Sequence, residues 1–291
     1  MTGNGFININ RTIALFFILI IFASCSSAPK NPGDVNILRK QAEEGLESAN
    51  REAAKGNFEI ALSLLTGFKR NAILSDDQSL IIRVCLSRGN ILFSLGRTEE
   101  AFSEWEQALS EAQRLGDGEL LAVSRIFKAR GNLLSNKASA QSVLDEVNRE
   151  SANIRASRLY IAFSWQVRGL AYRSMGMYRE AEDVVKRSLD IHEKDASLEN
   201  ASYDWYIIAS IRSLAGNTSG AIQALEASIA LDRRIENSWG IASSYRAMGD
   251  VYTKAGMSND ARVVYERAKA IYNVMGNGYE AAQIDQRLEV K

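Results

Sequence analysis

The feature that most constrains the fold of this chain is an internal repeat with a period of about 40 residues. A glycine followed five residues later by an alanine recurs along most of the sequence. The pairs are Gly56 and Ala61, Gly96 and Ala101, Gly176 and Ala181, Gly216 and Ala221, and Gly256 and Ala261. A degenerate copy with Ala138 and Val143 fills the gap in the middle. Such periods are typical of solenoids, in which each unit buries its apolar face against its neighbours.

Each repeat carries two apolar patterns with helical spacing, and the glycine separates them. In the fourth repeat the first pattern includes Ile161 and Trp165, and the second includes Val185 and Leu189. A glycine between the two patterns suits the end of a helix, where a positive φ is needed. The chain holds only two prolines, and neither lies beyond residue 32. Because proline is the main helix breaker, these features together predict an all-α chain.

A column of aromatic residues and a second column of small residues add a longer signature. The sixth repeat carries Tyr245, Gly249, Tyr252, Gly256 and Ala261. This pattern resembles the tetratricopeptide repeat (TPR) family over about residues 42–275, although the family's usual period is about 34 residues. The resemblance implies a right-handed α-solenoid of about six helical hairpins. We expect the segment Asn277–Lys291 to form a capping helix at the C-terminal end.

The N-terminus is predicted to be a targeting signal and not part of the fold. Its apolar run, Ile13–Ala23, is too short to span a membrane and fits a secretory signal peptide. The small residues before Cys25 resemble the bacterial lipobox. An ordinary signal peptide followed by an unrelated cysteine, and an uncleaved anchor, are the alternatives.

The lipobox resemblance implies that Cys25 carries acyl chains, and two or more such chains anchor a protein stably. The predicted organisation is a signal peptide at residues 1–24, the lipidated cysteine with a flexible tether at 25–34, and a repeat domain at 35–291. The domain would then lie in the periplasm of a bacterial cell envelope. Because Ser26 and not an aspartate follows the cysteine, the outer membrane is favoured.

The sequence offers little material for catalysis, so we expect no enzyme activity, cofactor or metal. Cys25 and Cys85 cannot form a CxxC metal site, and Cys85 lies in an apolar helical stretch that predicts an inert core thiol. His192 is the only histidine. Its position predicts a solvated residue near a helix C-terminus, and a Ser–His–Asp arrangement stays open. Basic and acidic residues number 35 each, which gives no reason to expect nucleic acid as a partner.

In the TPR family the first helix of each hairpin lines an inner groove. Transferring the family's groove positions to this sequence predicts a set of partner-binding residues that is mainly cationic and amide-bearing. The set is Arg83, Asn90, Arg125, Lys128, Asn132, Gln166, Arg173, Tyr203, Tyr206, Arg246, Asp250 and Lys254. Such residues suit an acidic segment or a C-terminal carboxylate. An ordinary solvated helix face is the alternative.

These features predict a membrane-anchored scaffold or adaptor that binds a protein or peptide partner. The alternative function is a small-molecule-binding accessory lipoprotein of a transport system. The sequence makes no prediction of the oligomeric state.

Overall fold

A computed structural model describes residues 32–289, and this part of the chain is built of thirteen α-helices. They are α1 (Pro32–Ala54), α2 (Phe58–Leu74), α3 (Gln78–Ser94), α4 (Thr98–Leu115), α5 (Gly118–Leu134), α6 (Ala140–Ser151), α7 (Arg158–Ser174), α8 (Tyr178–Lys194), α9 (Leu198–Leu214), α10 (Thr218–Arg234), α11 (Ser238–Lys254), α12 (Ser258–Val274) and α13 (Gly278–Glu289). None of these helices is long and apolar enough to cross a membrane. The predicted signal peptide and Cys25 lie outside the described residues. Because α1 begins at Pro32, the last three residues of the segment predicted as a tether are helical.

The helices form six hairpins that stack in a row. Each odd-numbered helix from α1 to α11 packs against the even-numbered helix that follows it, and each hairpin packs against the next one. The last helix, α13, packs on α12 and buries Ala281 and Ile284 against it. The predicted all-α solenoid of six hairpins with a C-terminal capping helix is therefore confirmed.

The first helices of successive hairpins keep a register of 40 residues, because α3, α5, α7, α9 and α11 begin at positions 78, 118, 158, 198 and 238. Gly96, between α3 and α4, has a φ of 73°. In the third repeat the equivalent residue is Asn136, with a φ of 55°. Asparagine tolerates this left-handed conformation better than most residues. The sequence alignment had placed Ala138 at this position, so its register in the third repeat is wrong by two residues.

The recurring small residues allow close contact between the two helices of a hairpin. A Cβ atom added to Gly89 would lie 2.2 Å from Nε1 of Trp105, whose side chain is fully buried. At the equivalent place in the sixth repeat, a Cβ on Gly249 would lie 2.4 Å from Cε1 of Tyr265. The large aromatic ring of the second helix therefore occupies the space that a side chain on the first helix would need.

The third repeat differs from the others in its second helix. Helix α6 has 12 residues, whereas the second helices of the neighbouring repeats have 17 or 18. The connection to α7 is held by the Glu119 carboxylate, which accepts hydrogen bonds from the backbone N–H groups of Arg155, Ala156 and Ser157 at 3.2, 3.0 and 2.8 Å. These bonds keep α7 in register although the preceding helix is short.

The two ends of the row meet. Helix α1 contacts α11, and the ring of Phe58 packs edge-on against Trp239 with 4.8 Å between the ring centroids. Trp239 in turn contacts Tyr272 of α12 at 5.6 Å. On the same side, a Cβ on Gly56 would lie 2.0 Å from Cε of Met275. The solenoid is therefore closed into a ring by contacts between its first and sixth hairpins.

Candidate binding cavity

The ring encloses a central cavity of about 610 Å³. Its walls come mostly from the first helix of each hairpin, as the sequence analysis expected of a groove. Six of the twelve predicted groove residues line it. They are Arg83, Asn90, Gln166, Tyr203, Tyr206 and Arg246.

Three of the remaining six were misplaced by the two-residue register error in the third repeat; they are Arg125, Lys128 and Asn132. Outside the cavity, Nη1 of Arg125 contacts both carboxylate oxygens of Glu150 at 3.1 Å. Lys128 pairs with Glu106 at 2.5 Å. In the observed register of α5 the cavity residue is Arg130.

The other three predicted residues lie in the C-terminal halves of their helices and bind neighbouring helices. Arg173 donates a hydrogen bond of 3.0 Å to Oγ of Ser210. Lys254 donates one of 2.8 Å to the backbone oxygen of Ser213. Asp250 accepts one of 2.6 Å from a tyrosine hydroxyl of α12. The structure thus places these three side chains in contacts between helices and outside the cavity lining.

Several aromatic rings of the cavity were not predicted as site residues. Phe127 and Phe163 stack with 4.2 Å between centroids, and both line the cavity beside Tyr160. Trp239 lines it at the closure of the ring. Apolar residues at helical spacing are ordinarily core residues, so their sequence pattern contains no signal that separates a cavity wall from a core.

Three guanidinium groups line the cavity. Arg246 pairs with Glu280 at 2.5 Å, and Arg130 donates a hydrogen bond of 3.3 Å to the hydroxyl of Tyr203. Within residues 32–289, neither Arg83 nor Arg130 forms an ion pair with an acidic side chain. These two groups therefore keep their full capacity to attract an anion.

His192 is buried, which contradicts the expectation of a solvated residue; only 2% of it is exposed. Its Nδ1 atom lies 2.7 Å from Oδ2 of Asp204, and Ser188 Oγ lies 3.4 Å from the same nitrogen. In a Ser–His–Asp triad the serine and the aspartate contact different ring nitrogens, so that the proton of the serine can move to Nε2. Because both contacts fall on Nδ1 here, Ser188 is not placed to act as a nucleophile with His192 as its base.

Two buried polar atoms of the cavity lining have no hydrogen-bond partner among the described residues. They are Oδ1 of Asn90 and Nε2 of His192. Buried polar groups in folded proteins are nearly always hydrogen-bonded, and each exception calls for an explanation. An occupant with its own donors or acceptors would supply the missing partners.

The part of the chain that the structure describes contains no group of three or more His, Cys, Asp and Glu side chains that could hold a metal ion. Cys85 is fully buried in the core, as predicted. Burial raises the pKa of its thiol to about 12, so it stays protonated and unreactive at neutral pH.

Stacked helical hairpins around an inner cavity define the class of this protein as an α-solenoid. Its repeat is the tetratricopeptide repeat: residues 164–195 match the family model described as "Tetratricopeptide repeat". These residues span most of the fourth hairpin, α7 and α8, which the sequence analysis had aligned with the same family.

Solved structures with the same fold are distant in sequence. One is a Rap protein complexed with Competence and Sporulation Factor, with a TM-score of 0.58 and 15% identity over 85% of this chain and 74% of that one. Another is BtubC (BKLC) from P. vanneervenii, with a TM-score of 0.51 and 16% identity over 84% of this chain and 93% of that one. No curated protein sequence matches the chain. At these identities the likeness concerns the fold alone.

Proposed function

We propose that this protein is a membrane-anchored adaptor that holds a short segment of a partner protein in its central cavity. The tetratricopeptide-repeat fold suggests a protein-interaction scaffold, and the observation that carries the proposal is the cavity itself. Its volume of about 610 Å³ falls in the range of sites that enclose ligands of modest size. It accommodates a few extended residues and not a folded domain.

The chemistry of the walls suits a peptide. Aromatic rings such as Phe163 and Trp239 can contact apolar side chains, and Arg83 and Arg130 can bind carboxylates. The unpartnered atoms of Asn90 and His192 can bond to a peptide backbone, which offers donors and acceptors at every residue. An acidic partner segment is therefore part of the proposal.

Photo-crosslinking in cells tests where the partner binds. A crosslinking amino acid is placed at Leu159, which lines the cavity and is 48% exposed, or at Val263, which is 49% exposed and outside the lining. We expect one partner protein to crosslink through a short segment from position 159 only. Equal crosslinking from both positions, or none from position 159, would contradict the proposal.

Charge reversal tests the chemistry of the partner. The double variant Arg83→Glu/Arg130→Glu is expected to lose most of the crosslink formed from position 159, because it would repel an acidic segment. The matched control is Arg155→Glu/Arg179→Glu, which changes two exposed arginines outside the cavity lining. If both double variants crosslink like the unchanged protein, the partner segment is not acidic.

The anchoring part of the proposal is supported by the lipobox-like residues before Cys25. We propose that the repeat domain lies in the periplasm, close to the membrane that holds the acyl chains, with the outer membrane favoured by Ser26. In cells given a labelled fatty acid, the chain should take up label and sediment with membranes, and Cys25→Ser should abolish both. A Cys25→Ser variant that still takes up label would contradict lipidation at this residue.

The closed shape of the cavity also favours a second candidate function, a small-molecule-binding accessory lipoprotein of a transport system. Thermal unfolding in the presence of metabolite libraries separates the two candidates. A soluble metabolite that raises the melting temperature of the unchanged chain, and displaces the segment crosslinked at position 159, would favour the second candidate.

A further inference from the structure

One column of the repeat changes from alanine to polar residues halfway along the chain. Positions 40 residues apart in the second helices and the connection after α6 are Ala72, Ala112, Ala152, His192, Asp232 and Tyr272. His192 and Asp232 are 2% and 1% exposed, so they are buried as deeply as the alanines at 72 and 112. Burying a titratable side chain where alanine suffices costs stability. Both residues line the cavity, which gives the change a place to act.

The contacts of His192 determine what its free nitrogen can bind. Asp204 accepts hydrogen bonds from Gln166 Nε2 at 2.8 Å and from Ser188 Oγ at 3.1 Å, in addition to its contact with His192 Nδ1. Burial raises the pKa of Asp204, but these three donors favour its ionised form. Nδ1 then carries a proton that it donates to Asp204. The opposite edge of the neutral ring, with Nε2, presents an unused acceptor.

Two carboxylates line the same wall of the cavity. Asp232 Oδ1 accepts a hydrogen bond of 2.8 Å from Asn237, and its other oxygen lies beside Gly240, where an added Cβ would be only 2.4 Å away. Glu199, in the first turn of α9, is surrounded by the cavity walls and still open to solvent. Burial raises the pKa of Glu199, and the negative charge of Asp232 raises it further. No basic side chain within residues 32–289 pairs with either carboxylate.

The cations of the cavity stand on other helices. Arg83 and Arg130 belong to α3 and α5, whereas Glu199 and Asp232 belong to α9 and α10. The α8–α10 wall, which we define by His192, Glu199 and Asp232, is therefore a group of acceptors without a cation of its own.

We propose that the α8–α10 wall binds a primary ammonium group of the occupant, such as the free amino terminus of a short peptide or an alkylamine. An ammonium group has three N–H donors and no acceptor, and this wall offers two carboxylates and one unused imidazole nitrogen. Its positive charge also relieves the repulsion between the two acids. The inference rests on the proposed function only in placing the occupant in the central cavity.

Calorimetric titration of the full chain, purified in detergent, tests the proposal with three probes. The first is a pool of random tetrapeptides without lysine, with free amino termini and amidated carboxyl termini. The second is the same pool with acetylated amino termini, and the third is butylamine. We expect the free-amine pool to bind and acetylation to weaken binding by about tenfold or more, because it removes the charge and leaves one N–H donor of three.

Variants assign the effect to the wall. Glu199→Gln keeps the shape of a solvent-accessible side chain and is expected to weaken binding of the free-amine pool by about fivefold or more. Asp232→Asn should do the same if it folds, and Glu199→Gln keeps the test valid if it does not. The matched control is Glu193→Gln, at an exposed acid of α8 outside the cavity lining, which should bind like the unchanged chain.

The arms also separate the sources of the ammonium group. If butylamine competes with the peptides, the ammonium group alone is sufficient; if only the free-amine pool binds, the peptide backbone is also recognised, and both results support the proposal. Equal binding of the acetylated pool, no binding of any probe, or equal behaviour of Glu199→Gln and Glu193→Gln would overturn it. Peptides that bind without sensitivity to acetylation would leave the proposed function intact. Amine-sensitive binding without a crosslinked partner in cells would remove the proposed function and not this inference.

Discussion

At the scale of single residues, the connections between hairpins hold several non-glycine residues in the left-handed conformation. Ala196 and Glu236 have φ values of 53° and 57°, while Gly116 and Gly276 stand at equivalent positions with 72° and 71°. For an L-residue with a side chain this conformation costs roughly 1–2 kcal/mol. The helical period predicts where each connection falls. It does not predict which connections tolerate this cost, because the contacts of the adjoining helices hold them in place.

This strain gives a pair of opposite predictions. Ala196→Gly should raise the free energy of unfolding by about 1 kcal/mol, because glycine adopts a positive φ without steric cost. Gly116→Ala, at the equivalent position two repeats earlier, should lower it by a similar amount, since nothing lies within 4 Å of the added Cβ and only the backbone is affected. Urea denaturation measures both. Changes of the same sign would contradict the explanation.

The polar residues of the cavity mark the limit of prediction at the residue scale. Tyr203 and Arg246 were found because they fall on positions that line the groove in the TPR family. Glu199 and Asp232 were missed: one stands in the first turn of its helix, and the other on a second helix. Charged residues at such places are usually solvated. The sequence does not show that the ring turns both of them towards one cavity.

At the scale of helices and hairpins, the period of 40 predicted nearly everything. The order and pairing of the helices follow from recurring glycine, alanine and aromatic positions, whose spacing is fixed by packing within one hairpin. The third repeat failed because Gly131 was aligned with Gly89. In the structure a Cβ on Gly131 would lie 2.3 Å from Cζ3 of Trp105, in the preceding hairpin. A small residue is needed at both places, but for contacts with different faces of the same ring.

The close contact within a hairpin predicts the effect of a single methyl group. Gly89→Ala should lower the free energy of unfolding by about 1–3 kcal/mol, because the added Cβ would overlap the ring of Trp105. Gly67→Ala is the matched control, since Gly67 lies inside α2 with nothing within 4 Å of its Cβ position. It should be neutral or stabilising by up to about 1 kcal/mol. Equal destabilisation by both variants in chemical denaturation would refute this account of the small-residue column.

The Glu119 carboxylate at the connection between α6 and α7 makes stability depend on pH. Burial acts to raise its pKa, but the three backbone N–H groups that it accepts outweigh burial and hold the pKa below its usual value. A carboxyl with a lowered pKa stabilises the folded state above its unfolded pKa of about 4.3, and this contribution is lost as the pH falls through the folded value. Glu119→Gln should therefore be less stable than the unchanged chain at pH 7. Denaturation curves should show this difference shrinking below about pH 4.

The matched control for this pH dependence is Glu193→Gln, which removes an exposed carboxylate from a neighbouring repeat. It should leave stability nearly unchanged at both pH values. A difference between Glu119→Gln and the unchanged chain that stays constant with pH would mean that the ionised carboxylate is not the stabilising group.

At the scale of the whole molecule, the closure of the ring is the feature that the sequence did not predict. It depends on small rotations between successive hairpins, which accumulate until the sixth hairpin reaches the first. The contact between Phe58 and Trp239 lies outside the repeat columns, and the sequence analysis had no basis for pairing these two rings. The same closure turns an open groove into a cavity, so the shape of the site was also beyond prediction.

Closure predicts energetic coupling between the two ends of the chain. In a double-mutant cycle, Phe58→Ala and Trp239→Ala should show a coupling free energy of about 0.5–1.5 kcal/mol, as expected for an edge-to-face aromatic pair. Phe58→Ala combined with Tyr279→Ala is the control, because Tyr279 is 73% exposed on the terminal helix. That pair should be additive. A coupling near zero for Phe58 and Trp239 would mean that the ring is open in solution.

Closure also limits how this architecture can change its size. In an open solenoid each unit touches only its neighbours, so units can be added or deleted with little effect on distant ones. Here a duplicated or deleted unit would carry Trp239 away from Phe58 and separate the walls of the cavity. Lineages that keep the site must therefore keep the number of hairpins, and diversity is expected in side chains that face inwards and not in length.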